Sequence, residues 1–253
     1  AQSGINLHNA LLEAGVDSLF FAAEQNRKGG RRILSFKNGY LKRRVLALLD
    51  QLPLMFYVKR DRRYTFTNNW FPVNSLIKAI HTEKPDIVHL HWIGKGLLRI
   101  EQLKRIGVPV VWTMHDNYAF TGGCHLVNTC DKYLSHCGAC PYLGSKRKSD
   151  LSDKNFSRKK RVFGKTSLTF LAPSRWMFAL SSQSALLTQQ DIRHLPNLID
   201  SRHYFPVDKV FSKQGFGIKA NTRMVLYGAF NSTSDVNKGF SELLQALNNA
   251  HMD

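Results

Sequence analysis

His115 and Asp116 stand side by side at the end of an apolar, β-branched run, Val110-Val111-Trp112-Thr113-Met114, and just ahead of Asn117-Tyr118-Ala119-Phe120-Thr121-Gly122-Gly123. The run has the character of a buried strand, and the Gly-Gly pair suits a tight turn. In a parallel α/β sheet, ligands bind just past the carboxyl ends of strands, so an imidazole and a carboxylate there are placed for chemistry. The alternative is a pair that only stabilises its loop. A second apolar run, Asp86-Ile87-Val88-His89-Leu90-His91, puts His89 and His91 on one face, because side chains alternate along a strand. His91 is nearer the strand end, with Trp92-Ile93-Gly94 in the loop behind it, whereas His89 reads as a structural histidine. Lys238-Gly239 opens a helical pattern, where a charge, the helix dipole and free N–H groups together suit a phosphate.

All four cysteines fall within seventeen residues, as Cys124-x5-Cys130-x6-Cys137-x2-Cys140. A compact loop ending in Cys-x2-Cys can bring four thiolates around one tetrahedral Zn²⁺. Two disulfides, or four unliganded thiols, would use the same residues. His125 or His136 could replace one sulfur. Four protein ligands would leave no open position for substrate, so a zinc ion here is expected to be structural.

The formal charge is +18, from 36 Lys and Arg against 18 Asp and Glu. Such an excess attracts polyanions: nucleic acid, nucleotide phosphates or an anionic bilayer. Two stretches carry much of it. Residues 27–63 hold twelve Lys and Arg against Asp50 and Asp61, beside an apolar helix face of Val45, Leu46, Leu48, Leu49 and Leu52. That combination suits a membrane surface, or an ordinary core helix with a charged end. Residues 146–165 hold nine Lys and Arg against Asp150 and Asp153, and could grip phosphates, but read more simply as a solvated, mobile loop. No apolar run approaches the ~20 residues of a spanning helix, so membrane contact is expected to be peripheral. The absence of a starting Met and of a signal-type apolar segment points away from secretion.

These groups need a scaffold. Ile5, Leu7, Leu11 and Leu12 give a helix stopped at Gly15, and Leu19 to Ala22 a short strand. Helix before strand at the start implies a preceding strand and glycine-rich loop, of which Ser3-Gly4 is the remnant. Leu76, Ile77 and Ile80 mark a helix closed by Pro85, and Leu97 to Ile106 another stopped by Gly107. Ser167 to Ala172 is a strand, Ser174 opens a helix, and Ile192 to Leu195 is a further strand. Alternating strands and helices predict an α/β fold, a Rossmann-like parallel sheet with helices on both faces. After an irregular segment, 196–206, Met224 to Ala229 reads as a strand containing Gly228, followed by the helix at Lys238. The expected division is residues 1–205, with a Cys-rich insertion at 122–143, and residues 206–253 as the start of a second α/β domain. A complete one takes on the order of 100 residues.

In order along the chain, Asp86–His91, Thr113-Met114-His115-Asp116, Ala172-Pro173-Ser174-Arg175-Trp176, Leu195-Pro196-Asn197-Leu198-Ile199-Asp200 and Asn237-Lys238-Gly239-Phe240 resemble family 4 glycosyltransferases. Phe120-Thr121-Gly122-Gly123-Cys124, the later cysteines and Cys140-Pro141 resemble the bacterial branch that builds exopolysaccharide such as colanic acid, or O antigen. The resemblance spans most of residues 5–250. It implies a GT-B architecture of two Rossmann-like domains and a retaining transfer that needs no metal cofactor. Its donor would be a nucleotide sugar and its acceptor a lipid-linked oligosaccharide. It implies that His115, with Asp116, meets the donor sugar, and that Lys238, Gly239, Gly228 and Ser174 serve the donor. Gly4, His91 and Trp92 would serve the acceptor side. Gly228-Ala229 stands where many relatives have Gly-Arg, and Asn197-Leu198 where Asn-Gly is usual. The family's paired glutamates would lie beyond Asp253, so the chain alone is expected to be inactive. The expected setting is the inner face of the bacterial plasma membrane, peripheral and cytoplasmic, with no nucleic-acid partner. Two other readings stay open: a basic zinc protein that binds nucleic acid, and a non-catalytic relative.

Overall fold

The computed structural model describes residues 2–22, 32–35, 40–71, 74–94, 96–229, 231 and 233–250. Within the basic stretch, Arg27, Lys28, Arg31 and Lys37 lie outside them. The chain divides into two compact units, Ala1–Leu198 and Ile199–Asp253.

The first unit is α/β. Its central sheet has four parallel strands in the order β3 (Val88–Leu90), β4 (Val110–Thr113), β5 (Leu168–Ala172) and β6 (Asp191–His194). Leu90 pairs with Trp112, Trp112 with Phe170, and Phe170 with Ile192. A separate parallel pair joins β1 (Phe20–Ala22) to β2 (Ile33–Ser35). Around these strands run α1 (Gln2–Glu13), α2 (Tyr40–Met55), α3 (Asn74–Glu83), α4 (Leu151–Phe163) and α5 (Arg175–Ser182). Parallel strands need crossovers, and each crossover within the four-stranded sheet carries helix or 3₁₀ turn, which makes the unit Rossmann-like.

Trp112 and Phe170 anchor the core from the sheet, and Phe163 of α4 meets both ring edges (centroids 6.4 and 5.6 Å). The expected helix over 97–106 is instead a 3₁₀ segment, Ile100–Arg105. Its buried apolar residues Ile100 and Leu103, with buried Ile106 capping its end, are spaced by three, which suits three residues per turn better than 3.6.

Residues 146–165 are not the mobile loop their charge implies. Asp150 caps α4 by accepting from the N–H groups of Ser152 (2.9 Å) and Asp153 (3.2 Å). Leu151, Asn155, Phe156, Lys159, Val162 and Phe163 then form a buried face at helical spacing. Arg158, on the flank, forks onto both carboxylate oxygens of Glu101 (2.8 Å each). This pairing outweighs burial and holds the Glu101 carboxyl down at about 2.

The second unit holds α6 (Lys209–Gly215) and α7 (Phe240–Asn249). Met224 to Ala229, expected as a strand, has no strand structure, and among the described residues of this unit no partner strand is present. A strand exists only through its ladder. Val225 and Leu226 are correspondingly 62% and 86% exposed.

Candidate functional site

The site forms where β3 and β4 end. His91 directly follows β3 and His115 lies two residues past β4, and their rings stack at 5.2 Å with His91 Nδ1 and His115 Nε2 2.9 Å apart. His89, one pleat deeper, stacks on His91 at 4.6 Å and bonds Thr113 Oγ1 through Nε2 (2.8 Å). Burial pushes His91 down to about 4, helped by its two histidine neighbours. Partial burial also lowers His115. Both imidazoles are therefore neutral near pH 7, and a neutral pair can share one N–H···N hydrogen bond.

His91, Trp92, His115 and Asp116 line one shallow hollow floored by Met114 and Tyr118. Gly4 of α1 abuts it: a Cβ there would stand 3.1 Å from His91 Cδ2 and 3.2 Å from Nε2. Ser3 Oγ donates to Asn197 Oδ1 (2.8 Å), which ties the start of α1 to the loop after β6. Ser174 follows β5, but its Oγ accepts from the N–H of Met177 (3.1 Å) and caps α5. Gly228, Lys238 and Gly239 belong to the second unit. There Lys238 ends the 3₁₀ turn Val236–Lys238, and Gly239 sits at the head of α7 with φ 70°.

Asp116 is more committed than a strand-end position alone implies. Its Oδ1 accepts from the Tyr118 N–H (2.9 Å), capping the 3₁₀ turn Asn117–Phe120, and its Oδ2 meets His125 Nδ1 at 2.7 Å. His125 Nε2 in turn reaches Thr67 Oγ1 (2.8 Å). Burial alone would raise the Asp116 carboxyl, but His125, the Tyr118 N–H and Lys159 together hold it below its ordinary value. His125 is thus the orienting partner of Asp116, a role its sequence position beside Cys124 did not signal. With both ring nitrogens engaged it has no lone pair for a metal. His136 is likewise paired, to Asp153 Oδ1 (2.6 Å).

The Cys-rich loop folds back on the segment around Phe66, through an antiparallel bridge of Phe66 with Cys124 and the bond from Thr67 N–H to Gly123 O (2.9 Å). Gly123 permits this approach, and Gly122 the approach of the loop to the start of α4. A Cβ on Gly122 would lie 2.4 Å from the Ser152 carbonyl oxygen, and one on Gly123, whose φ is 134°, 2.6 Å from the Phe66 ring. All four cysteines are free thiols; Cys124, Cys137 and Cys140 are buried and Cys130 is partly exposed. Burial pushes Cys137 up to about 12 and Cys140 to about 11. Among the described residues no group of three or more His, Cys, Asp or Glu side chains is arranged to hold a metal ion.

Lys159, which sequence reasoning assigned to an exposed basic loop, is instead 1% exposed beneath this site. No helix among the described residues is long and apolar enough to cross a membrane.

Residues 3–203 match the model of Glycosyltransferase Family 4. The chain is also similar to "Putative colanic acid biosynthesis glycosyl transferase WcaC" of Escherichia coli (strain K12). The two are 24% identical over 153 residues, which cover 56% of this chain and 36% of that protein. The chain thus spans about a third of that relative's length. It belongs to glycosyltransferase family 4.

Proposed function

We propose that this family 4 chain takes part in moving a sugar from a nucleotide-sugar donor to a lipid-linked oligosaccharide, during assembly of a bacterial surface polysaccharide and with retention at the anomeric carbon. The observation that carries the reading is the stacked His91–His115 pair at the carboxyl ends of adjacent parallel strands, beside Asp116 in one hollow. As the donor bond breaks, negative charge gathers on the departing diphosphate and positive charge on the anomeric carbon. In this reading neutral His115, held by His91, positions the sugar at that carbon, and Asp116 acts by fixing the turn rather than by taking a proton. Lys238 and the N–H groups near Gly239, with Gly228, stabilise the diphosphate, and the loop at Ser174 completes the donor side. Gly4, His91 and Trp92 face the acceptor. No metal cofactor enters the chemistry.

The acceptor's lipid calls for a surface to dock on. Leu48, Met55, Phe56 and Val58, along α2 and just past it, are 68%, 72%, 87% and 84% exposed. Arg44, Lys59, Arg60, Arg62 and Arg63 lie close to them in sequence. An apolar patch rimmed by cations supports peripheral contact with an anionic membrane, which for this chemistry is the cytoplasmic face of the plasma membrane. In the same reading the four cysteines take up a structural zinc ion. Their spacing and the shared burial of three of them support it, and the ion would have to draw the thiols into a tetrahedron. A nucleic-acid role has no comparable support, since the basic segment 151–163 spends its central charges on internal contacts. Turnover by a His115→Ala enzyme tests the reading.

A further inference from the structure

Lys159 lies on the buried face of α4, which it shares with Asn155, Phe156, Val162 and Phe163. Its Nζ donates to the carbonyl oxygens of Tyr118 and of Thr121, the latter at 2.9 Å, and stands 3.5 Å from the centroid of the Tyr118 ring. Tyr118 belongs to the 3₁₀ turn that follows His115-Asp116, and Thr121 ends that turn. The N–H of Tyr118 points the other way, to Asp116 Oδ1. Tyr118 is therefore gripped at both ends of its backbone, by Asp116 and by Lys159.

Satisfying two buried carbonyls does not by itself call for a lysine. The neighbouring carbonyl, Phe120 O, is satisfied by the Ser184 hydroxyl at 2.8 Å. Burying an amine that tends to charge is far more costly than burying a hydroxyl. What the amine adds is reach from the rigid helix to the turn and attraction toward the Asp116 carboxylate. The charged and titratable groups facing it are Asp116 from the loop after β4, Cys124 and Cys137 from the Cys-rich loop, and Arg158 from its own helix. Burial brings Lys159 down to about 7. Amine and ammonium alike can donate to both carbonyls, so the clamp survives either protonation state.

We propose that Lys159 is a positioning residue for the strand-end site, clamping the turn 117–121 to α4 so that Asp116, and through it His115, keeps a single orientation. The functional meaning rests on the glycosyltransferase reading above; the clamp itself does not. The test therefore reads the imidazoles directly, by ring ¹H–¹⁵N spectra of His115 and His125 in the full-length natural protein. Lys159→Met removes both donors at nearly constant length, and Lys160→Met, at an exposed position next door, is the control. The expected result is that Lys159→Met shifts and broadens both histidine signals and that Lys160→Met leaves them in place. In Lys159→Ala, added propylammonium returns the signals toward wild type, which general loosening of the fold would not do. If neither Lys159 variant folds, Lys159→Arg, which keeps donors on a bulkier head, is read instead and should shift both histidine signals while Lys160→Arg leaves them in place. In the transferase assay the loss in Lys159→Met falls on kcat, by about 100-fold for a misplacement on the ångström scale, with KM little changed. Unchanged ring signals in a folded Lys159 variant overturn the proposal. If His115→Ala is fully active, the transferase reading fails while the ring-signal result stands on its own.

Discussion

His91 Nδ1 lies 2.9 Å from His115 Nε2, and the two residues lie just beyond the carboxyl ends of two paired parallel strands. Two neutral imidazoles in this contact share one proton, so the tautomer of one fixes that of the other. Orientation of His115 is thereby built into the sheet.

The pair makes stability depend on pH. The folded-state value of His91, about 4, lies below its ordinary 6.5, so on acidification the unfolded chain binds the proton first. The contribution is whole above pH 6.5 and is lost as pH falls toward about 4. Urea midpoints measured from pH 7.5 to 4.5 should fall through this window, and His91→Gln should flatten the dependence. A wild-type midpoint that rises between pH 6.5 and 4.5 would contradict the neutral pair.

Asp116 and His125 form the second dependency. Asp116→Ala strips a capping acceptor and leaves His125 Nδ1 without its partner. It should destabilise the protein by about 1.5–3 kcal/mol, the range for hydrogen bonds to a charged group. Asp116→Asn, which can still accept from the Tyr118 N–H, should cost less. Denaturant unfolding orders the two. Equal stability of Asp116→Ala and wild type would show that the turn does not need its cap.

Thiol chemistry separates the cysteines. Once a chelator has been added, Cys130, the one partly exposed thiol, should react with Ellman's reagent well before buried Cys124, Cys137 and Cys140. Protein purified without added metal should contain about one zinc per chain, with Cys130 protected until a chelator is added. Rapid labelling of Cys130 in protein free of zinc would remove the metal from the account and leave the loop to its packing.

Membrane contact should follow the α2 patch. Co-sedimentation with vesicles containing anionic lipid is expected at low ionic strength and should weaken with salt, because exposed charges are screened. Phe56→Asp should reduce binding at any salt. Equal binding to neutral vesicles would argue that charge plays no part.

The sheet was legible because β3, β4 and β5 are apolar runs that end in polar residues or proline. The site positions His91 and His115 were legible for the same reason, since the end of a parallel strand is where a ligand can reach. Lys159 was hidden by its neighbours. Among Arg158, Lys160 and Arg161 it looks like one more solvated charge, and only the spacing of Phe156, Val162 and Phe163 marks its face as the core. His125 was hidden by distance, because its partner Thr67 is 58 residues away and meets it only after the Cys-rich loop folds back. Met224 to Ala229 failed for the opposite reason. Its apolar pattern is local, whereas a strand needs a neighbour.

The central claim is that His115 acts at the reacting carbon. The most direct measurement is the kcat of full-length wild-type and His115→Ala protein across a panel of nucleotide sugars with a lipid-linked acceptor. A contact that strengthens in the transition state is lost as turnover rather than only as binding. The account predicts a kcat lower by about two to three orders of magnitude, the scale for one well-placed polar group. A His115→Ala enzyme that turns over at the wild-type rate would contradict it.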